Sequence, residues 1–388
     1  MKILFLTHSF PRFSGDAPGS FLLRLARALA GEGVSVHVIA PSAKGLAPEE
    51  VIDGIHVERF RYAPEGYETL AYSGTMAQDV AASWKSRLAL LAYLGSDLAK
   101  AIAAGRAQRP DVIHSHWWFP SGLIGQGLRM VSGVPLVTTL HGTDVRMAKS
   151  IAPSRPFLRS VLRNSSAVTT VSSWLASETT SIAPGTNVQI APMPVATERF
   201  HPGGSRQSSR FLFAGRLNEQ KGLGHLLKAM ASMQSLAMLD VVGEGGDGAR
   251  LRLQASQLGI SDRIVWHGQL GQDQLLRFYQ SATAVVVPSV DEGLGLVAVE
   301  ALMCETPVVA FRSGGLTDVV EHERTGLLVT PGNTAELARA LDAVLASPER
   351  AAELGRAGRS FAATAFSPES AAARYATIYR GVLGQHAA

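Results

Sequence analysis

The chain predicts an α/β protein of two doubly wound, Rossmann-like domains. Strand-like and helix-like segments alternate along it, the alternation restarts near residue 210, and 388 residues suit two domains of ordinary size. Apolar strands such as Ala284-Val285-Val286-Val287 imply parallel sheets covered on both faces. A hydrophobic share of 46% against 18% charged residues supports two cores and excludes a disordered chain.

The first domain, expected over 1–200, opens with the strand Ile3–Thr7. Ser20 is read as the cap of a helix with Phe21, Leu22, Leu25, Ala28 and Leu29 on one face, ended by Gly31 and Gly33. Strands at Val34–Ala40, Asp111–His114, Leu136–Leu140 and Ala167–Val171 follow. The polar stretch 201–210 is the expected linker. The second domain, 201–365, has strands at Phe211–Ala214, Leu239–Val242, Ile264–His267, Ala284–Pro288, Val308–Phe311 and Leu327–Val329. Helices are expected at Leu223–Ser232, Ala249–Gly259 and Leu296–Met303. A last helical stretch within 366–388 is expected to complete the first domain. Ligands of such sheets bind beyond the carboxyl ends of the strands, so the expected site is a cleft with the domains facing each other.

The net charge of +4 is uneven, with +5 in residues 1–200 and −1 in the remainder. No acid occurs from Val145 to Ser177, where Arg146, Lys149, Arg155, Arg159 and Arg163 lie. Two readings stand side by side: a solvated helix face, or a surface for anionic membrane or an anionic acceptor. No aromatic-interleaved basic motif appears, so nucleic acid is not an expected partner. No apolar run is expected to reach membrane-spanning length, and the N-terminal segment does not read as a signal peptide. The lone Cys304 excludes an internal disulfide and fits a reducing cytoplasm.

The most informative stretch is Pro288–Leu302, with Glu292 and Glu300 eight positions apart. Gly293 and Gly295 form a turn between a buried strand and a helix. A glycine turn opening a helix offers free N–H groups and the positive helix end to a phosphate. Glu292 lies at its mouth and Glu300 more than a helical turn further in. Arg216 and Lys221 follow the first strand of the second domain, where two cations suit a diphosphate. No Asp-x-Asp pair occurs, so no metal and no cofactor are expected, and fixed cations would take the metal's place. His141-Gly142-Thr143-Asp144 follows a strand and suits substrate hydroxyls, the alternative being a turn with Asp144 capping the next helix. His114 and His116 are expected on opposite faces of their strand, and without a third ligand no zinc site is expected. His116 and Trp117 are instead expected to line the cleft. Gly243–Gly248 matches the literal G-x-G-x-x-G pattern, but Asp262 precedes the next strand instead of ending it, so a tight loop near a nucleotide is expected and not an NAD site.

These motifs together resemble glycosyltransferase family 4, the retaining transferases of GT-B fold, over nearly the whole chain. The resemblance rests on Glu292–Glu300 followed by Thr306-Pro307-Val308, on Gly215-Arg216-Leu217 with Lys221-Gly222, and on His141–Asp144. Val242–Gly245, Gly314-Gly315-Leu316 and Thr325–Val329 match as well. It implies a metal-independent hexosyltransferase taking a UDP- or GDP-sugar to an acceptor hydroxyl. Arg216 and Lys221 would bind the diphosphate and Glu292 the donor sugar, helped by Gly293, Leu294, Gly295, Leu296 and Val297. Glu300 would hold the ribose, and His141, with Asp144, would contact the donor sugar. Gly15 would approach the diphosphate, Gly243 would sit near the nucleotide, and Val265 to Leu270 would line the base pocket. The implied acceptor is a glycan or lipid-linked hydroxyl in cell-surface glycan or glycolipid synthesis. Cys304 fits a place in the cytoplasm, and the basic stretch Arg146–Arg163 motivates the expectation of peripheral attachment to the inner, anionic membrane face with a lipid-linked acceptor. The chain departs from the family's pattern in its first loop, Ser14–Gly19, at Pro194–Thr197, and at Cys304-Glu305. A nucleotide-sugar epimerase of related fold and an inactive nucleotide-sugar-binding homologue remain as alternatives, the intact set Arg216, Lys221, Glu292 and Glu300 arguing against the second.

Overall fold

The structure, a computed structural model, describes residues 1–72, 76–204 and 206–386. It divides into two compact units. The first runs over Met1–Pro194 and takes back the chain from Pro368 onward, and the second is Val195–Ser367.

The first unit holds β1 (Lys2–Leu6), β2 (Ser35–Pro41), β3 (Glu49–Ile52), β4 (Ile55–Phe60), β5 (Val112–His116), β6 (Leu136–Leu140), β7 (Ala167–Thr170) and β8 (Val188–Ile190). They form one sheet in the order β3-β4-β2-β1-β5-β6-β7-β8. Among the described residues every pairing is parallel except β3 with β4. That hairpin was not foreseen. Its two-residue turn is Asp53-Gly54, both at positive φ (48° and 85°), the geometry that Asp-Gly serves best. β1 and β5 are each buried almost throughout, as strands covered on both faces must be.

The helix Ser20–Gly31 buries Leu22, Leu25, Ala26 and Leu29. Its cap is Gly19 rather than Ser20; Gly19 sits at φ 70°, where a Cβ would lie 2.4 Å from the Ser9 carbonyl oxygen. The last helix, Pro368–His386, packs on Ser20–Gly31. Its Tyr375 hydroxyl donates to the Ala191 carbonyl at 3.0 Å.

The helix Trp84–Gln108 went unread in the sequence. It buries Tyr93, Asp97, Ala101 and Ala104 and is long and apolar enough, by length and composition, to cross a membrane. The expectation that no segment reaches that length is thereby overturned. Ser86, Arg87 and Asp97 interrupt the run, which hid it.

The second unit holds β9 (Arg210–Ala214), β10 (Met238–Val242), β11 (Ile264–Gly268), β12 (Ala284–Val287), β13 (Val308–Phe311) and β14 (Gly326–Val329). Its six parallel strands run β11-β10-β9-β12-β13-β14. The helices Leu223–Ser232, Gly248–Gln257, Leu296–Met303 and Thr334–Ala346 are among those that cover it.

The division between units lies at Pro194/Val195, ahead of the expected linker and of the 200/201 boundary. Phe200 is fully buried, edge-on to Tyr279 at 5.7 Å between ring centres. Gln207 N–H donates to the Ser281 carbonyl at 2.8 Å. Polar composition concealed a segment laid along the second unit; Ser205 within it lies outside the described residues, as do positions 387 and 388 of the terminal stretch.

Candidate active site

In the second unit the strand order reverses between β9 and β12, and ligands of such sheets bind beyond the carboxyl ends at that switch point. The loops 215–222 and 288–295 leave those two neighbouring strands. They bring Lys221 and Glu292 together: the ammonium nitrogen donates to Glu292 Oε2 at 2.6 Å, both side chains mostly buried. Gly222 makes this approach possible. Its φ is 70°, and a Cβ there would sit 1.9 Å from the Pro288 carbonyl oxygen.

Glu292 is held from behind by a loop whose role the sequence did not reveal. Gly315 N–H donates to the Glu292 carbonyl at 2.8 Å, and a Cβ on Gly314 would lie 2.3 Å from the same oxygen. The adjacent Gly314-Gly315 was the available signal. Gly293, Leu294 and Gly295 are buried, while Leu296 and Val297 are half-buried at the start of the helix Leu296–Met303. The first N–H groups of a helix have no acceptor within it. Glu300 lies in this helix and accepts from the Tyr279 hydroxyl at 2.8 Å. That hydroxyl is buried, and the nearby Glu300 charge adds to burial in raising its pKa well above the usual value.

Arg216 is exposed on the loop after β9. The glycines of 243–248 shape that loop from below. A Cβ on Gly243 would lie 2.0 Å from the Gly215 carbonyl oxygen, and one on Gly245 would lie 2.3 Å from that of Leu217. The G-x-G-x-x-G match thus serves contact between two backbones. Val265 sits in β11, and Leu270 lines a pocket of about 430 Å³ with His267, Phe278 and Gln274.

In the first unit the order reverses between β1 and β5. His141 follows β6, its ring 4.2 Å from that of Trp117 and 5.4 Å from that of Phe21. His116 Nδ1 lies 3.2 Å from His141 Nε2. Burial lowers the pKa of both rings well below the usual range. His114 and His116 share one face of β5, with rings 4.1 Å apart, which corrects the expectation of opposite faces. Side chains alternate along a strand, so positions two apart coincide. Among the described residues, no group of three or more His, Cys, Asp and Glu side chains is placed to hold a metal ion.

Asp144 is buried. Its carboxylate accepts backbone N–H bonds from His141, Gly142, Val145 and Trp118 at 2.9–3.2 Å. Burial still raises its pKa, the four bonds opposing that. Its function in the structure is to hold the His141 turn. Gly15 lies exposed at φ 89° in the loop after β1, where Asp16 pairs with Arg12 at 2.7 Å. Most of the basic stretch is used internally. Arg155 donates to the Ala148 and Lys149 carbonyls, Arg159 donates to that of Ile182, and Lys149 pairs with Glu178.

Among solved structures, the chain is similar to sucrose-phosphate synthase from Thermosynechococcus elongatus, with a TM-score of 0.82 over 99% of both chains at 24% identity. It is also similar to Anabaena HepE, solved in complex with UDP and glucose, with a TM-score of 0.74 over 98% of this chain and all of the other at 20% identity. The fold is that of the GT-B glycosyltransferases. Residues 196–361 match the family described as glycosyl transferases group 1, and residues 17–196 match the glycosyl transferase 4-like domain. A D-inositol 3-phosphate glycosyltransferase of Thermobispora bispora is 31% identical, the match covering 95% of this chain and 91% of the relative. One from Acidothermus cellulolyticus is also 31% identical, covering 88% and 81%. The chain belongs to glycosyltransferase family 4, the group 1 glycosyl transferases, and is a sugar-transferring enzyme.

Proposed function

We propose that the enzyme is a retaining, metal-independent hexosyltransferase that moves a sugar from a UDP- or GDP-sugar to an acceptor hydroxyl. The observation that carries this reading is the Lys221–Glu292 pair at the switch point of the second unit, beside the helix start at Leu296. Lys221 and Arg216 neutralise the charge that grows on the departing diphosphate. Glu292 positions the sugar and Glu300 the ribose, neither one moving a proton. The acceptor attacks from the face the diphosphate leaves, and the departing phosphate oxygen takes its proton. His141 contacts the donor sugar. The relatives' named activity makes D-inositol 3-phosphate the first acceptor to try, with lipid-linked and glycan hydroxyls of cell-surface synthesis next. A thermal-shift screen of nucleotide sugars tests the donor, since a ligand stabilises the fold by mass action. Proton NMR of the product then reads the anomeric configuration. An inverted product sinks the retaining mechanism, and turnover of donor without any acceptor, giving an epimerised sugar, sinks transfer.

A second observation supports a place on the inner face of an anionic membrane. Trp84, Leu88 and Leu91 are 66%, 55% and 66% exposed and recur at helical spacing on one face. Lys85 and Arg87 are exposed beside them. The opposite face, with Tyr93, Ala101 and Ala104, is packed in a core with Leu4 and Leu6. A helix anchored in this way lies on a bilayer instead of spanning it, its cations meeting anionic headgroups. Co-sedimentation with phosphatidylglycerol vesicles is expected for the native chain and is expected to be lost in Trp84→Ser/Leu91→Ser. Equal recovery with neutral phosphatidylcholine vesicles, or no recovery with either, overturns this placement.

A further inference from the structure

His114 and His116 are both buried, yet their surroundings differ. His114 has both ring nitrogens engaged, Nδ1 with the Tyr379 hydroxyl and Nε2 with the Thr139 hydroxyl, each at 2.7 Å. His116 Nε2 is buried without a partner among the described residues, and its Nδ1 is spent on His141. A histidine that served only the core would be satisfied as His114 is.

The hydrogen bond between the two rings has one favoured direction. Both imidazoles are neutral near pH 7, so each carries a single proton and one of the facing nitrogens is bare. Were His141 to donate through Nε2, the proton of His116 would sit on its own Nε2 as an orphaned buried N–H. Orphaned buried donors are rarer in proteins than under-satisfied acceptors. The reverse direction leaves only a lone pair in that position. It places the His116 proton on Nδ1, donating to His141 Nε2, and the His141 proton on Nδ1, a nitrogen that takes no partner from the described protein.

The backbone points the same way. Trp117 lies at φ 66° and ψ 138°, near a region that is almost confined to glycine. This turn sets the indole between His8, at 4.3 Å, and His141, at 4.2 Å. Strain of this kind persists where the surroundings over-determine it, and it clusters at functional sites. Trp117 thus covers one side of the His141 ring while His116 holds its Nε2 edge.

We propose that His116 is a positioning residue that fixes His141 as the Nδ1–H tautomer, so that His141 offers a hydrogen-bond donor to a hydroxyl of the donor sugar. The inference rests on the proposed contact of His141 with that sugar. The groups facing His141 are His116 and His114 from β5, His8 from the loop after β1, and Asp144 from the helix that follows. Asp144 is committed to backbone N–H groups, including that of His141.

The test is nitrogen NMR of the donor-free protein labelled with ¹⁵N-histidine, native and His116→Phe, with kcat and KM measured on both. The native spectrum is expected to show His141 protonated on Nδ1 and bare on Nε2. In His116→Phe both tautomers are expected, with kcat lower by about 10- to 100-fold, the scale of losing a group that orients another ligand. The donor KM should change little. His116→Asn, whose amide can reproduce the donor, is expected to restore most of the rate. A native His141 protonated on Nε2, or a rate loss in His116→Phe with the tautomer unchanged, overturns the proposal. The native spectrum decides even if the variant does not fold. It is read without substrate, so it also stands apart from any failure of the transferase reading.

Discussion

The two units carry their site motifs at equivalent places, the carboxyl edge of a sheet beside its switch point, yet build them from opposite materials. The second unit uses formal charge: Lys221 against Glu292, and Arg216 exposed on a loop braced by glycines. The first unit uses neutral rings: His8, His114, His116 and His141 are crowded by Phe5, Phe21 and Trp117, and burial lowers the pKa of each histidine. A diphosphate requires charge to meet it, whereas sugar hydroxyls require oriented donors and acceptors that do not attract counter-ions. Under the proposed function, the charged unit suits the first need and the neutral one the second.

The largest expected effect tests the charged half. Lys221→Ala and Glu292→Ala should each cost about 10²–10³ in kcat, as removal of a preorganised electrostatic group does elsewhere. Circular dichroism should stay native. The double variant should lose much less than the product of the single losses, because the partners act as one device. Near-native rates in both single variants would break the comparison.

The next effect tests the neutral half. His8 and His114 have pKa values lowered to about 4 and about 3, below the ordinary value near 6.5. The unfolded chain therefore binds protons that the folded chain refuses. Stability is complete above about pH 6.5 and falls as pH drops toward 4, by roughly 3 kcal/mol from His8 alone. Hydrogen exchange, corrected for intrinsic rate, should show the first unit opening ahead of the second as pH falls from 7 to 5. Uniform loss across both units would sink the contrast.

A smaller effect sharpens the assignment of Glu300. Tyr279→Phe removes the hydroxyl that holds its carboxylate. One such bond contributes about 0.5–1.5 kcal/mol, so donor KM should rise about two- to tenfold with kcat nearly unchanged. A fall in kcat alone would move Tyr279 to another role.

Much of this was legible in the sequence where local chemistry and tertiary structure agree. Leu296–Met303 and Leu136–Leu140 are bounded as read, since glycine turns and apolar runs punctuate them sharply. The Lys221 and Glu292 loops were legible only as loops following two strands of the second domain; the contact between them depends on the sheet order. Other features needed the third dimension. In one dimension Asp144 reads either as a site residue or as a cap, and only the fold shows four N–H groups converging on it. The polar stretch after Phe200 reads as a tether until Gln207 and Phe200 are seen packed. The hairpin Glu49–Phe60 had its signal in Asp53-Gly54 and was passed over.

The return of the chain at Pro368 also sets an order of events during synthesis. The second unit is continuous from Val195 to Ser367 and can close as soon as it has left the ribosome. The first must wait for Tyr375 and Tyr379, whose hydroxyls meet Ala191 and His114. At about 5–20 residues per second, that leaves the surface this last helix covers exposed for roughly 10–40 s. The half made first is finished last, and through that interval its unfilled apolar surface is a target for chaperones.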